Sequence, residues 1–104
     1  MFMFRKTKTS SSQFDRLGED TGRFFYPKGE QLRMRSLPPD AASRPYRTYE
    51  STDAPLPEGY SLAQSVIAPW FAQPGGGTQF MVIGPEGYEA QILDLIDAGY
   101  LRHV

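Results

Sequence analysis

The first clear alternation of apolar and polar residues falls at Gln31–Leu37, where Leu32 and Met34 interleave with Arg33 and Arg35. A period of two sends aliphatic and basic side chains to opposite faces of an extended chain, and predicts a strand that Pro38-Pro39 ends. Pro45–Thr52 alternates again, with Tyr46, Thr48 and Glu50 on one side and Arg47 and Tyr49 on the other, in the Tyr- and Thr-rich composition that strands favour. Residues 60–68 predict another short strand. Gln79–Ile83 is the best strand of the second half, β-branched and aromatic, with a Gly84-Pro85 stop. Beyond it the period changes. Tyr88, Ile92, Leu95 and Ile96 form an i, i+4, i+7, i+8 stripe, which predicts a helix. Pro85 fits its first turn, Glu86 and Glu89 its positive end and Gly99 its C′ position. Tyr100–Val104 then returns as an edge strand. Between Phe14 and Glu30, glycines at 18, 22 and 29 surround the trio Phe24, Phe25 and Tyr26, which predicts a looped segment anchored by its aromatics. The sum is α+β: a small, mostly antiparallel mixed sheet with a C-terminal helix packed on one face, and no internal repeats.

At 104 residues the chain fits one domain, assigned to residues 14–104. Residues 1–13, MFMFRKTKTSSSQ, read as a flexible leader: charges follow after four residues, so a signal-peptide apolar region is missing. No apolar run approaches the ~20 residues that span a bilayer. The sequence holds no cysteine and a single histidine, His103, which excludes disulfides, thiolate metal sites and multi-histidine metal sites. The net charge of −1 gives no bulk attraction to nucleic acid or to an anionic membrane. The distribution is uneven: residues 1–53 carry ten of the eleven Lys and Arg, and residues 54–104 only Arg102. Eight of those eleven are Arg, the side chain suited to bidentate phosphate binding, although an attraction between two halves of one domain explains the asymmetry equally well.

Candidate chemistry concentrates in a few places. The triplet Gly75–Gly77 lies between Trp70-Phe71 and a strand, where Gly76 and Gly77 can let a planar or phosphorylated ligand lie against bare backbone, or can simply form a wide turn. No Lys-Ser/Thr follows, so this is not a phosphate P-loop. Gln79 opens the next strand, and its amide can donate to and accept from a ribose hydroxyl, a water or a carboxamide. Arg16, Arg35 and Arg47 form a diphosphate clamp if they converge and are ordinary surface arginines if they do not. Phe24, Phe25, Tyr46 and Trp70 are stacking platforms or core aromatics. His103 receives no role, and the acids show no pairing at the spacing a glycosidase uses.

Several short motifs occur in fixed order: Asp15-Arg16-Leu17-Gly18, Gly22-Arg23-Phe24-Phe25-Tyr26-Pro27-Lys28-Gly29, Arg35-Ser36-Leu37-Pro38-Pro39 and Pro45-Tyr46-Arg47-Thr48-Tyr49. Then comes the long and unusual Ile67–Gln79 stretch, IAPWFAQPGGGTQ, and the ending Gly99-Tyr100-Leu101. Together they resemble the TNT domain family, named for the tuberculosis necrotizing toxin, over residues 14–104. The resemblance implies an NAD⁺ glycohydrolase that cleaves the nicotinamide–ribose bond of NAD⁺, and of NADP⁺, with NAD⁺ as substrate and no cofactor. It implies a secreted polypeptide delivering the domain as a C-terminal toxin to the target-cell cytosol, and a cognate immunity protein. Carried over by motif, Arg16, Phe24, Arg35 and Gln79 match positions the family uses at its site; Gln79, Arg16 and Arg35 are the expected catalytic residues. Phe24, Phe25, Tyr46, Arg47, Trp70, Gly76 and Gly77 are the expected substrate contacts. Arg47 departs from the pattern, since the family commonly carries His there. Two alternatives stay open: an ADP-ribosyltransferase, disfavoured by the lack of a Glu-x-Glu motif, and a catalytically weakened nucleotide- or protein-binding module.

Overall fold

The segment around the first glycines folds as a hairpin. In a computed structural model, which describes residues 12–104, strand β1 (Gln13–Leu17) pairs antiparallel with β2 (Phe24–Pro27), with Phe14 opposite Pro27 and Asp15 opposite Tyr26. The expected loop is therefore corrected. The glycines confine themselves to the connection, where the Arg16 guanidinium fills the space a side chain would need. A Cβ at Gly18 or Gly22 would come within 2.5 or 2.0 Å of Arg16 Nη2. With the turn closed over Arg16, the residues on either side are free to pair.

The other strands are β3 (Tyr46–Ser51), β4 (Ser61–Val66), β5 (Thr78–Ile83) and β6 (Leu101–His103). They complete a six-stranded sheet of order β4-β5-β2-β1-β3-β6 in which every neighbouring pair is antiparallel. Three of the four strands expected before the helix are present, as β3, β4 and β5, and β6 takes the edge as expected. The expected leader lies outside the described residues apart from Ser12 and Gln13, and Gln13 already belongs to β1.

Two further expectations fail. Gln31–Leu37 is not a strand: Leu32–Arg35 forms a 3₁₀ turn, and Ser36 is left-handed at φ 49°. The alternation is overridden by Arg35, whose Nε and Nη2 donate to the Glu30 carbonyl at 3.0 and 2.6 Å. Extended chain would carry the two residues roughly 16 Å apart, too far for that return. The helix is also shorter than its stripe. Pro85–Gly87 is a separate 3₁₀ turn closing a small hairpin, with Gly84 N–H donating to Tyr88 O at 2.8 Å, and Tyr88 is exposed. Helix α1 covers only Ile92–Asp97. It opens where the Asp94 carboxylate accepts the Gln91 N–H at 3.0 Å. It ends in a Schellman motif, with Gly99 at φ 82° and bonds from Gly99 and Tyr100 N–H to Ile96 and Leu95 carbonyls.

Helix α1 buries Ile92 and Leu95 against one face of the sheet, with Phe25, Tyr49, Val82, Ala90 and Leu101. Phe14, Phe25 and Phe80 from three adjacent strands meet there at 5.0–5.4 Å between ring centroids. This is the helix face. By alternation the opposite face carries Asp15, Leu17, Phe24, Tyr26, Tyr46, Gln79 and Met81, and the chain from Lys28 to Pro45 lies over part of it.

Candidate active site

Register places the functional residues of the second face in two lateral rows. Ser65 pairs with Gln79, Gln79 neighbours Tyr26, and Tyr26 pairs with Asp15, which pairs with Thr48. The next row holds Ala63, Met81, Phe24, Leu17 and Tyr46. A cleft of about 350 Å³ opens between these rows and the overlying segment, lined by Asp15, Leu17, Gly29, Glu30, Leu32, Arg35, Ala42 and Tyr46. A smaller apolar cavity of about 160 Å³ adjoins it through Leu17, Leu32 and Ala42, and is closed by Leu37–Pro39, Ala41 and Gln73.

A buried ion pair forms the floor. Asp15 is 1% exposed and Arg35 4%. Arg35 Nη1 lies 2.8 Å from Asp15 Oδ1, and Nη2 donates to Oδ2 at 3.2 Å. Oδ2 also accepts the Gly29 N–H at 3.1 Å and the Tyr46 hydroxyl at 2.8 Å. The Glu30 carbonyl takes up the Nε and Nη2 donors of the guanidinium, while Nη1 and Asp15 Oδ1 meet only each other. The guanidinium also lies over the Tyr26 ring at 4.9 Å. Burial pushes the Tyr26 phenol above its ordinary pKa of 10.0, against the pull of Arg16, Arg35 and Arg44. Burial, and then the hydrogen bond it donates to Asp15, raises the Tyr46 phenol as well. Both phenols stay protonated, as donors, through neutral pH.

The expected site residues divide. Arg35 and Tyr46 line the cleft. Gln79 and Phe24 share its face of the sheet one or two strands away, and Gln79 Nε2 donates to Ser65 Oγ at 3.1 Å. The three arginines do not form a clamp. Arg16 pairs in register with Arg47 on the side of Phe14 and Tyr49, and donates to the Glu19 and Phe24 carbonyls at 2.8 and 2.9 Å. Arg47 pairs with Glu19 in solvent. Neither lines the two cavities.

Phe25 is corrected outright: it is wholly buried in the core because the residue next to Phe24 must face the helix. Trp70 stands 66% exposed at the end of a tight turn through Phe71 and Ala72, both left-handed at φ 53° and 58°, and lines neither cavity. Gly76 and Gly77 are taken up by the protein's own backbone. Gly76 N–H donates to Ile67 O at 2.8 Å and Gly77 N–H to Met34 O at 3.0 Å. A Cβ at Gly77 would lie 2.9 Å from both Glu30 Cδ and Met34 O, so it is a close approach, but to Glu30 rather than to a ligand. From this loop the cavity wall receives Gln73, whose Nε2 donates to Leu37 O at 2.7 Å.

Asp15 and Glu30 escaped the sequence reading. An acid one residue from Arg16 reads as a surface pair, and only the fold shows that its partner is twenty positions away. His103 likewise had no expected role, yet its Nε2 lies 2.9 Å from Asp20 Oδ2, while Asp20 Oδ1 accepts the buried Tyr49 hydroxyl at 2.7 Å.

The family model described as tuberculosis necrotizing toxin, TNT, matches residues 9–104. The chain belongs to the TNT family. The conidial surface nicotinamide adenine dinucleotide glycohydrolase of Aspergillus fumigatus is 35% identical over 88% of this chain and 38% of that protein. The outer membrane channel protein CpnT of Mycobacterium tuberculosis is 31% identical over 86% of this chain and 11% of its own length. The chain thus spans well under half of the curated relatives it matches. The solved structure of tuberculosis necrotizing toxin complexed with its immunity factor superposes with a TM-score of 0.77 at 29% identity, over 88% of this chain and 47% of that one. The antiparallel sheet with its C-terminal helix is the fold of that toxin.

Proposed function

We propose that this TNT-family chain is an NAD⁺ glycohydrolase that releases nicotinamide and ADP-ribose, with NADP⁺ as a second substrate. The observation that carries the proposal is the cleft built on Asp15, Arg35 and Tyr46, on the same sheet face as Phe24 and Gln79. The name of the Aspergillus relative supports the same reaction class.

The chemistry asks little of an acid or a base. When the bond between ribose C1′ and the nicotinamide nitrogen breaks, its electron pair stays with the ring and neutralises the pyridinium. Water then adds to C1′ and its proton passes to solvent. There is no net oxidation, so no redox cofactor is called for. The protein must orient the dinucleotide and stabilise a cationic ribose, which is positioning and electrostatics. In this reading Phe24 and Tyr46 flank a planar ring, and Gln79 orients the ribose or the attacking water. Arg35 acts as a positioning residue that holds Asp15 and the Tyr46 hydroxyl. Arg16 faces the other side of the sheet and holds the β1–β2 turn through the Glu19 and Phe24 carbonyls, so this reading leaves it outside the cleft.

The domain acts, in the same proposal, as the toxin part of a larger secreted effector in a target-cell cytosol and is neutralised by an immunity protein, as the complex of the related toxin with its immunity factor supports. The test is nicotinamide release from NAD⁺ by the purified chain beside Gln79→Ala. Loss of about 10²- to 10³-fold in kcat is expected for the variant. Unchanged turnover would sink the assignment of Gln79. Label from NAD⁺ appearing on protein instead of as free ADP-ribose would favour a transferase.

A further inference from the structure

Glu30 sits where the overlying segment, the glycine-rich loop and the cleft meet. Its side chain lines the 350 Å³ cleft beside Asp15, Arg35 and Tyr46. Oε1 accepts the Thr78 N–H at 3.1 Å, which fixes the carboxylate at the start of the strand that carries Gln79. Residue 77 is glycine at the point where the carboxylate presses closest, 2.9 Å from a notional Cβ. The loop is thus shaped around this one acid.

What Glu30 lacks is a counter-charge. It forms no ion pair among the described residues. The nearest guanidinium in the cleft, Arg35, is occupied by Asp15 and by the Glu30 carbonyl rather than its carboxylate. The neighbouring walls, Leu17, Leu32 and Ala42, are apolar. A carboxylate held in place in the cleft with no cation beside it offers its charge to a ligand that brings the positive partner. Of the groups formed in the proposed reaction, the ribose develops positive charge, at C1′ and the ring oxygen, as nicotinamide leaves.

We propose that Glu30 is a catalytic residue whose carboxylate stabilises the cationic ribose during cleavage of the C1′–N bond. This rests on the NAD⁺ glycohydrolase reading. Glu30 forms no covalent bond and keeps its charge: the electron pair leaves with nicotinamide, and water supplies the new bond to C1′.

Glu30→Gln preserves an acceptor for the Thr78 N–H and removes the charge, whereas Glu30→Asp keeps the charge and shortens the reach. Glu30→Gln is expected to lower kcat about 10²-fold while KM for NAD⁺ moves less than about threefold and the thermal midpoint is held. Glu30→Asp is expected to retain more activity than Glu30→Gln; a purely structural Glu30 would give the reverse order, and that result, or a Gln variant at wild-type kcat, overturns the proposal. A second measurement does not depend on turnover. The unsubstituted chain is expected to bind an ADP analogue with a protonated pyrrolidine in place of the ribose ring about 10-fold or more tighter than ADP-ribose, by calorimetry, and Glu30→Gln to lose that preference. A chain that shows the preference, loses it in Glu30→Gln and yet releases no nicotinamide overturns the hydrolase reading and with it the catalytic role, and leaves Glu30 as a contact for a cationic ribose-like ring. Absence of both preference and turnover overturns the two together.

Discussion

The two faces of the sheet are held by different forces. The helix face is a continuous apolar cluster in which Phe25, Val82, Ile92, Leu95 and Leu101 contact one another with no polar partner required. The cleft face rests on one carboxylate, Asp15, that collects a guanidinium, an amide and a phenol from three separate segments. Apolar packing tolerates exchange of like for like. A buried ionic hub does not, because losing any member strands a charge. Both faces therefore carry stability, but only the cleft face ties it to positional precision.

The largest effects should separate these roles. Phe25→Ala is expected to lower unfolding free energy by about 3–5 kcal/mol in denaturant titrations, because it empties the centre of the three-ring cluster. At temperatures where the variant is folded, its KM should stay near that of the unsubstituted chain. Asp15→Ala is expected to cost a similar amount, about 3–5 kcal/mol, by leaving Arg35 buried and unpaired. It should also abolish turnover in the folded protein, since the Tyr46 and Gly29 contacts go with it. Equal losses of turnover in the folded state of both variants would break the division between the faces.

A smaller effect lies at alkaline pH. Burial first, and the hydrogen bond to Asp20 second, push the Tyr49 phenol well above its ordinary value of 10.0. In the unfolded chain the group ionises near pH 10 while the folded chain retains its proton. Its contribution to stability is therefore complete below pH 10 and is lost as the pH rises toward the folded value. Tyr49→Phe should flatten the fall of stability above pH 10 by about 1.4 kcal/mol per pH unit, the slope of one proton, measured by urea unfolding at stepped pH. The smallest effect is expected at Arg47→His. Arg47 is solvent-facing, paired with Glu19 and outside both cavities, so turnover should stay within about twofold. A larger change would mean that the cleft extends around the end of β1 to the other face.

Much of the strand framework was legible because β3 alternates and β5 is β-branched and aromatic, which are properties of neighbouring residues, whereas the alternation at Gln31–Leu37 yielded to the return of Arg35 onto Glu30. The hairpin of β1 and β2 was not, because the glycines that looked like loop residues are needed by the Arg16 side chain, a contact only the closed turn creates. The helix was placed correctly at its end, where Gly99 readily takes the left-handed C′ conformation, and too early at its start, where Gly84-Pro85 makes a turn before the apolar period takes hold. Within the cleft, Arg35 and Tyr46 were readable from motif, and Gln79 lies on the same sheet face without lining it. Asp15 and Glu30 were not, since the worth of a carboxylate depends on what lies across from it. Arg35 also changes character: it is an internal strut whose charge is already met by Asp15, rather than a free clamp.

The sequence contains one tryptophan, and it stands in solvent beside a turn that ties back through Gln73 to the Leu37 carbonyl over the apolar cavity. Its indole is thus an optical reporter placed by the fold itself. Movement of the Leu37–Ala42 roof around a bound dinucleotide would shift the surroundings of Trp70, and the protein's own emission would follow occupancy in real time without a label.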